Sequence, residues 1–199
     1  MSQDDQCSSE QRAYCYLTLN VSDGVDIFIK PVFKQIIAES LNYFVAKKGL
    51  LVHGWCLMTN HLHLIARARD GVWLRSLAKE FKEFTSKIIM DDIDAESDVR
   101  KTWIVRKFKD AGRPFRFGTP LVWQEGDNRI YIDRKNIDVL SEHLKHIHNH
   151  PVRERIVDKA EDYLYSSARD YAGMKGLVQV CMIRENYGSN FILRHISSY

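Results

Sequence analysis

The sequence predicts an α+β fold: a ferredoxin-like antiparallel sheet with helices on one face, plus an additional C-terminal helix and tail. Three observations point there. Hydrophobic periodicity gives the element order β-α-β-β-α-β, the order in which an antiparallel sheet carries two crossover helices. Two apolar runs are joined by only Thr59 and Asn60, a connection suited to an antiparallel hairpin. The chain of 199 residues, 45% hydrophobic and 28% charged, is long enough for one substantial core and carries no repeat or low-complexity tract. It reads as one domain over 1–199, with a core from about 13 to 151 and a C-terminal extension from about 152 to 199.

Each element has its own signal. Ala13 to Val21 (AYCYLTLNV) alternates and is rich in Tyr, Thr and Val, as a first strand should. Pro31 opens a helix whose apolar residues Phe33, Ile36, Ile37, Leu41, Phe44 and Val45 follow 3-4 spacing and which ends near Lys48 and Gly49. Leu50 to Met58 gives the second strand, and His61 to Arg67 returns as the third. A second helix spans about Val72 to Met90, with Leu74, Leu77, Ala78, Phe81, Thr85 and Ile88 on one face. Between Asp91 and Phe117 the pattern is part helical and part irregular. Asn128 to Asp133 predicts a fourth strand, and a helix from about Lys135 to Asn149 is expected to stop at Pro151. Lys175 to Ile183 is expected to add an edge strand.

Charge is patterned more strongly than its sum suggests. The formal net charge is +3, yet Asp91 to Asp98 is acidic and Arg100 to Arg116 holds seven cations against Asp110 alone. Trp103, Phe108, Phe115 and Phe117 interleave with those cations, a mixture that serves phosphates and unstacked bases of single-stranded nucleic acid; a solvated helix with its aromatics inward is the alternative. No stretch approaches the ~20 apolar residues of a membrane span, and the start of the chain lacks a signal-peptide pattern, so a cytoplasmic protein with no membrane partner is expected. Cys7, Cys15, Cys56 and Cys181 are scattered without a C-x-x-C pair and are expected to be free thiols.

Histidine placement carries the chemistry. His61 and His63 sit one residue apart in LMTNHLHLI, so on a strand they share a face, about 7 Å apart, while Leu62 and Leu64 share the other. Neutral imidazole is a common metal ligand, although H-x-H alone is more often met by ordinary hydrogen-bonded histidines, so a third ligand is needed. A second group, HLKHIHNH, holds four of the eight histidines. At 100° per residue, His143, His146 and His150 fall on one flank of the late helix, beside the Leu140, Leu144 and Ile147 stripe, and His148 points elsewhere. His146 and His150 are i,i+4, the spacing at which two helical imidazoles can hold one ion. The two groups together predict a shared metal site.

The runs GWCLMTNHLHLIARARDG, SLAKEFKEFTSKII, VWQEGDN, YIDRKNIDVLSEHLKHIHNHPVRERIVDKAEDYLYSSARDYAG and KGLVQV, in this order over about Tyr14 to Val180, resemble the REP-associated tyrosine transposases and their insertion-sequence relatives, members of the His-hydrophobic-His superfamily. The resemblance implies a ferredoxin-like fold and a divalent ion held by His61 and His63. It also implies a helix-borne tyrosine that attacks a phosphodiester in single-stranded DNA, leaving a 5′-phosphotyrosyl link and a free 3′-hydroxyl. The metal acts there as a Lewis acid, and the covalent link conserves bond energy for rejoining. In HIHNHPV the tyrosine position is occupied by His146, and the Asn or Gln position that completes the metal shell is occupied by His150.

The expectation is therefore a transposase-like protein that binds DNA, single-stranded or hairpin, with His61, His63 and His150 as metal ligands and His146 standing in the catalytic position. The resemblance implies magnesium or manganese; a nitrogen-rich set suits zinc or nickel as well. Lys79, Lys82, Arg106, Lys107 and Arg113 are candidate DNA phosphate contacts, and Gln124 and Glu125 lie in a segment like the family's. Two alternatives stay open: an active nicking and rejoining enzyme with His146, Tyr131, Tyr163, Tyr165 or Tyr171 as nucleophile, or a histidine-rich metal protein that does not act on DNA. A homodimer is compatible with either.

Overall fold

The computed structural model describes residues 13–95, 100–112, 120–126 and 128–183. Strands β1 (Tyr14–Asn20), β2 (Leu50–Leu57), β3 (His61–Ala68) and β4 (Asn128–Ile132) form one sheet in the order β2-β3-β1-β4, with every pairing antiparallel. This is the α+β arrangement expected from the element order. The helices are α1 (Pro31–Lys47), α2 (Leu74–Ala95), α3 (Lys101–Gly112) and α4 (Ile137–His148), with single turns α5 (His150–Arg153) and α6 (Ala168–Tyr171).

Alternation along the strands divides the buried residues into two cores. Leu17, Leu19, Trp55, Leu62, Leu64 and Ala66 point to one face and pack with Phe33, Leu41 and Phe44 of α1 and Leu77 and Phe81 of α2. Cys56 and Ile65 point to the other and meet Leu140, Leu144 and Ile147 of α4. The second face is thus half covered rather than open, and α4 sits where its histidines can approach the face that bears His61 and His63.

Two glycines make these connections. Gly49 follows the last turn of α1 with φ +83°, a left-handed conformation that lets the chain turn straight into β2. Gly54 allows close approach: a Cβ there would lie 2.6 Å from Leu144 Cδ1 and 3.1 Å from Ile147 Cδ1. The missing side chain is what seats α4 on the sheet. Next to it, the β2–β3 register shifts between Val52 and Gly54, so His53 is the extra residue of a bulge. Buried His53 lies opposite the Cys181 carbonyl at 2.7 Å from Nδ1, and its own carbonyl accepts the Tyr171 hydroxyl.

Several sequence expectations are corrected. Helix α2 runs five residues beyond Met90, to Ala95. Pro151 does not end helical structure. It has no N–H to return to Ile147, so α4 stops at His148, Asn149 turns the chain, and Pro151 then fits the first turn of α5. Lys175 to Ile183 forms no strand. Its backbone is held piecemeal: Asn42 bonds Leu177 O and Gln179 N, Cys181 N donates to Val52 O, and Ile183 N donates to the Tyr171 hydroxyl. In α3, Phe108 is core whereas Trp103 is half exposed; Phe115, Phe117 and Arg113 lie outside the described residues. Among the described residues, no helix is long and apolar enough to cross a membrane.

Candidate metal centre

The β2–β3 hairpin ends at the turn Thr59-Asn60, and His61 and His63 leave it on the α4 side of the sheet because Leu62 is taken by the other core. The register sets Asn20 opposite His61 and Thr18 opposite His63 on the neighbouring strand. From across the face, α5 delivers His150. The atoms converge: His63 Nε2 lies 2.9 Å from His150 Nδ1 and 3.1 Å from His61 Nε2, and His61 Nε2 lies 3.5 Å from His150 Nδ1. Three imidazole nitrogens bound to one ion at ordinary metal–nitrogen lengths stand about 2.8 to 3.4 Å apart, depending on geometry. Among the described residues, this is the histidine, cysteine or carboxylate group compact enough for a metal ion.

The outer nitrogens agree with that use. Asn60 Nδ2 donates to Gly24 O, which turns the amide oxygen toward His61 Nδ1 at 2.8 Å. An oxygen there needs a proton on Nδ1, which leaves the His61 Nε2 lone pair facing inward. His150 Nε2 faces the Glu154 carboxylate at 3.8 Å. His63 Nδ1 lies 3.0 Å from the hydroxyls of both Tyr16 and Thr18. His61 and His63 therefore have a hydrogen-bonding oxygen behind them, the arrangement that orients metal-binding histidines, and His150 has a carboxylate nearby. Burial first, and the neighbouring imidazoles second, hold His63 far below its usual pKa and bring His61 down to about 4. His150 is lowered by burial and by the Arg153 cation. All three shifts favour the neutral imidazole, whose lone pair a metal needs.

The remaining late histidines do other things. His146 is exposed; its ring centroid is 5.8 Å from that of His63, and Arg153 Nη2 approaches its Nδ1 at 3.2 Å and its Nε2 at 3.4 Å. It borders the triad without joining it. His143 stacks on Tyr16 at 4.6 Å and the His146 and His150 ring centroids are 6.0 Å apart, so the three histidines share a flank as expected, although only His150 reaches the triad. His148 is buried and pairs with the Ser167 hydroxyl at 2.8 Å. Of the tyrosines, Tyr163 donates to Leu57 O and Tyr171 to His53 O, and burial raises both phenols well above their usual pKa. Tyr131, opposite Cys15, belongs to the other sheet face.

A groove of about 670 Å³ lies on the α2 side of the sheet, walled by α2, residues 120–126 and β4. Arg75, Lys79, Lys82, Lys87, Lys109 and Arg129 outnumber its acidic side chains. Lys79 is 3.9 Å from Glu83, and Lys82 donates to the Gln124 and Gly126 carbonyls. Arg106 and Lys107 point elsewhere, 3.7 Å from Asp110 and 3.1 Å from Asp23. Gln124 serves the fold, its side-chain amide donating to Val21 O, while Glu125 lines the groove.

No protein-family model and no curated protein matches the sequence. Among solved structures, the chain is similar to a REP-associated tyrosine transposase bound to a REP hairpin. The TM-score is 0.60 at 15% identity, over 89% of this chain and 90% of that one. The likeness is one of fold.

Asn60, Tyr16, Thr18, Glu154 and Arg153 were not identified from the sequence. The strand register carries the signal for Thr18, and i,i+4 spacing from His150 carries it for Glu154.

Proposed function

We propose that this protein is a transposase-like DNA-binding protein that engages single-stranded or hairpin DNA beside a divalent ion held by His61, His63 and His150. One observation carries the reading: three imidazole nitrogens within 3.5 Å of one another, in a fold similar to that of a hairpin-bound REP-associated transposase. A bound ion would supply Lewis-acid polarisation of a phosphate oxygen. The chain's own residues do the rest. Asn60 holds the His61 tautomer, Glu154 places a negative charge near His150, and Arg153 places a cation beside His146 where a phosphate could be met.

His146 occupies the position of the tyrosine in the resembled transposases. Imidazole can attack phosphorus, but a phosphoramidate is labile, so DNA binding is retained in this reading and a stable covalent intermediate at this position is not. Lys79 and Lys82, in the α2 groove, are the phosphate contacts best placed to act together. Arg106 and Lys107, turned toward Asp110 and Asp23, lie outside that groove and take no part in this reading.

The test compares labelled hairpin, single strand and duplex by fluorescence anisotropy at several salt concentrations. Preference for the hairpin or single strand, with affinity falling steeply as salt rises, is expected because phosphate contacts release counterions. Equal binding to duplex at moderate salt would remove the reading. Denaturing electrophoresis after incubation with manganese and labelled single strands should give no covalent adduct; an adduct would favour the active enzyme instead.

A further inference from the structure

Two of the three ligands have their outer nitrogen opposite an oxygen that can only accept. His61 faces the Asn60 amide oxygen, whose orientation is fixed from behind by Gly24, and His150 faces the Glu154 carboxylate. His63 differs. Its Nδ1 is flanked by two hydroxyls, Tyr16 and Thr18, each at 3.0 Å, and a hydroxyl can either donate or accept. If they donate, the proton of neutral His63 must sit on Nε2, the atom in the triad. If they accept, the proton sits on Nδ1 and Nε2 presents its lone pair.

The surroundings favour acceptance at Thr18, with Tyr16 taking the Thr18 proton. Thr18 Oγ1 can pass its own proton to the Tyr16 oxygen at 3.4 Å, leaving Thr18 lone pairs toward His63. Tyr16 is locked in place by stacking on His143 at 4.6 Å and on His63 at 5.9 Å. His63 itself is 5% exposed, so water cannot readily replace the hydroxyls. Thr18 is held opposite His63 by the β1–β3 ladder, which makes its hydroxyl a rigid partner.

We propose that Tyr16 and Thr18 are positioning residues of the metal centre: together they hold the His63 Nδ1 proton and thereby present Nε2 as the third inward lone pair. The proposal rests on the metal reading above. Without the two hydroxyls, a buried Nδ1–H would lose its partners on loading, and that cost appears as weaker metal binding.

The experiment measures zinc affinity by chelator competition on the full chain, for wild type, Thr18→Val, Thr18→Ser, the Tyr16→Phe/Thr18→Val double variant and His63→Ala. Thermal melts in chelator establish that each is folded. Valine matches the shape of threonine without the hydroxyl, and serine restores the hydroxyl without the methyl. The double variant should bind roughly ten- to a hundredfold more weakly, as is usual for loss of an outer partner, with Thr18→Val intermediate and Thr18→Ser near wild type. In the zinc-loaded wild type the His63 Nδ1 proton should give a sharp, slowly exchanging resonance, and in the double variant a broadened one. Wild-type affinity in the double variant, with His63→Ala strongly impaired, overturns this inference and leaves the metal site standing. Undiminished affinity in His63→Ala overturns both.

Discussion

Among the late histidines, His146 and His150 separate sharply in role although they are one helical turn apart. The geometry predicts that His61→Ala, His63→Ala or His150→Ala lowers divalent-metal affinity by at least about a hundredfold, since each removes one of three converging nitrogens. His146→Ala should change it by less than about threefold, because the Arg153-capped ring borders the cluster only. Isothermal titration with zinc or manganese distinguishes the two outcomes. A second prediction at this scale concerns His53, buried in the β2 bulge and brought down to about pKa 4, chiefly by burial. Between pH 6.5 and 4 the unfolded chain binds a proton there that the folded chain refuses, so stability falls as pH falls through that window. The loss is on the order of 3 kcal/mol by pH 4. His53→Gln should reduce the pH dependence of the urea midpoint in this range by roughly a third, the remaining slope of the same sign coming from His61 and His63. Reading the sequence reached His61 and His63 because strand alternation is local. It reached His150 by a helical wheel that also put His146 on the same flank, and the wheel alone does not say which of the two comes within ligand distance of His61 and His63.

The elements with strong local patterns were legible. α1, the β2–β3 hairpin and the existence of four strands follow from 3-4 spacing, alternation and a two-residue turn. What stayed hidden were features set by long-range contacts. The bulge at His53 depends on Gly54 admitting Leu144 and Ile147, two helical residues some ninety positions away. The seat of α4 yields a third prediction. Gly54→Val forces a side chain against those two residues, so it should cost on the order of 1–3 kcal/mol of stability in denaturant unfolding. It should also weaken metal binding, although residue 54 touches no ligand, because α4 carries α5 and His150 with it. Unchanged affinity in a folded Gly54→Val variant would mean that α5 is positioned independently of α4.

At the scale of the whole molecule, the sheet separates two faces of different character, with imidazoles on the α4 side and the basic groove on the α2 side. Replacing Lys79 and Lys87 by glutamine should weaken DNA binding and reduce the slope of log affinity against log salt by roughly one to two, while metal affinity stays unchanged. Parallel titrations of DNA and metal on the same variant would expose any mixing of the two effects. The open side of β2 is occupied by a returning chain: Leu57 N donates to Tyr165 O, Ser167 N to Trp55 O and Cys181 N to Val52 O. That lining acts as a guard rail. An extended strand from another molecule would have to strip it away before it could add to the sheet there, so shortening the chain to end at Met174, which removes the Cys181 bond and keeps those of Tyr165 and Ser167, should bare only the Val52 end of the border and make the protein scatter light more readily.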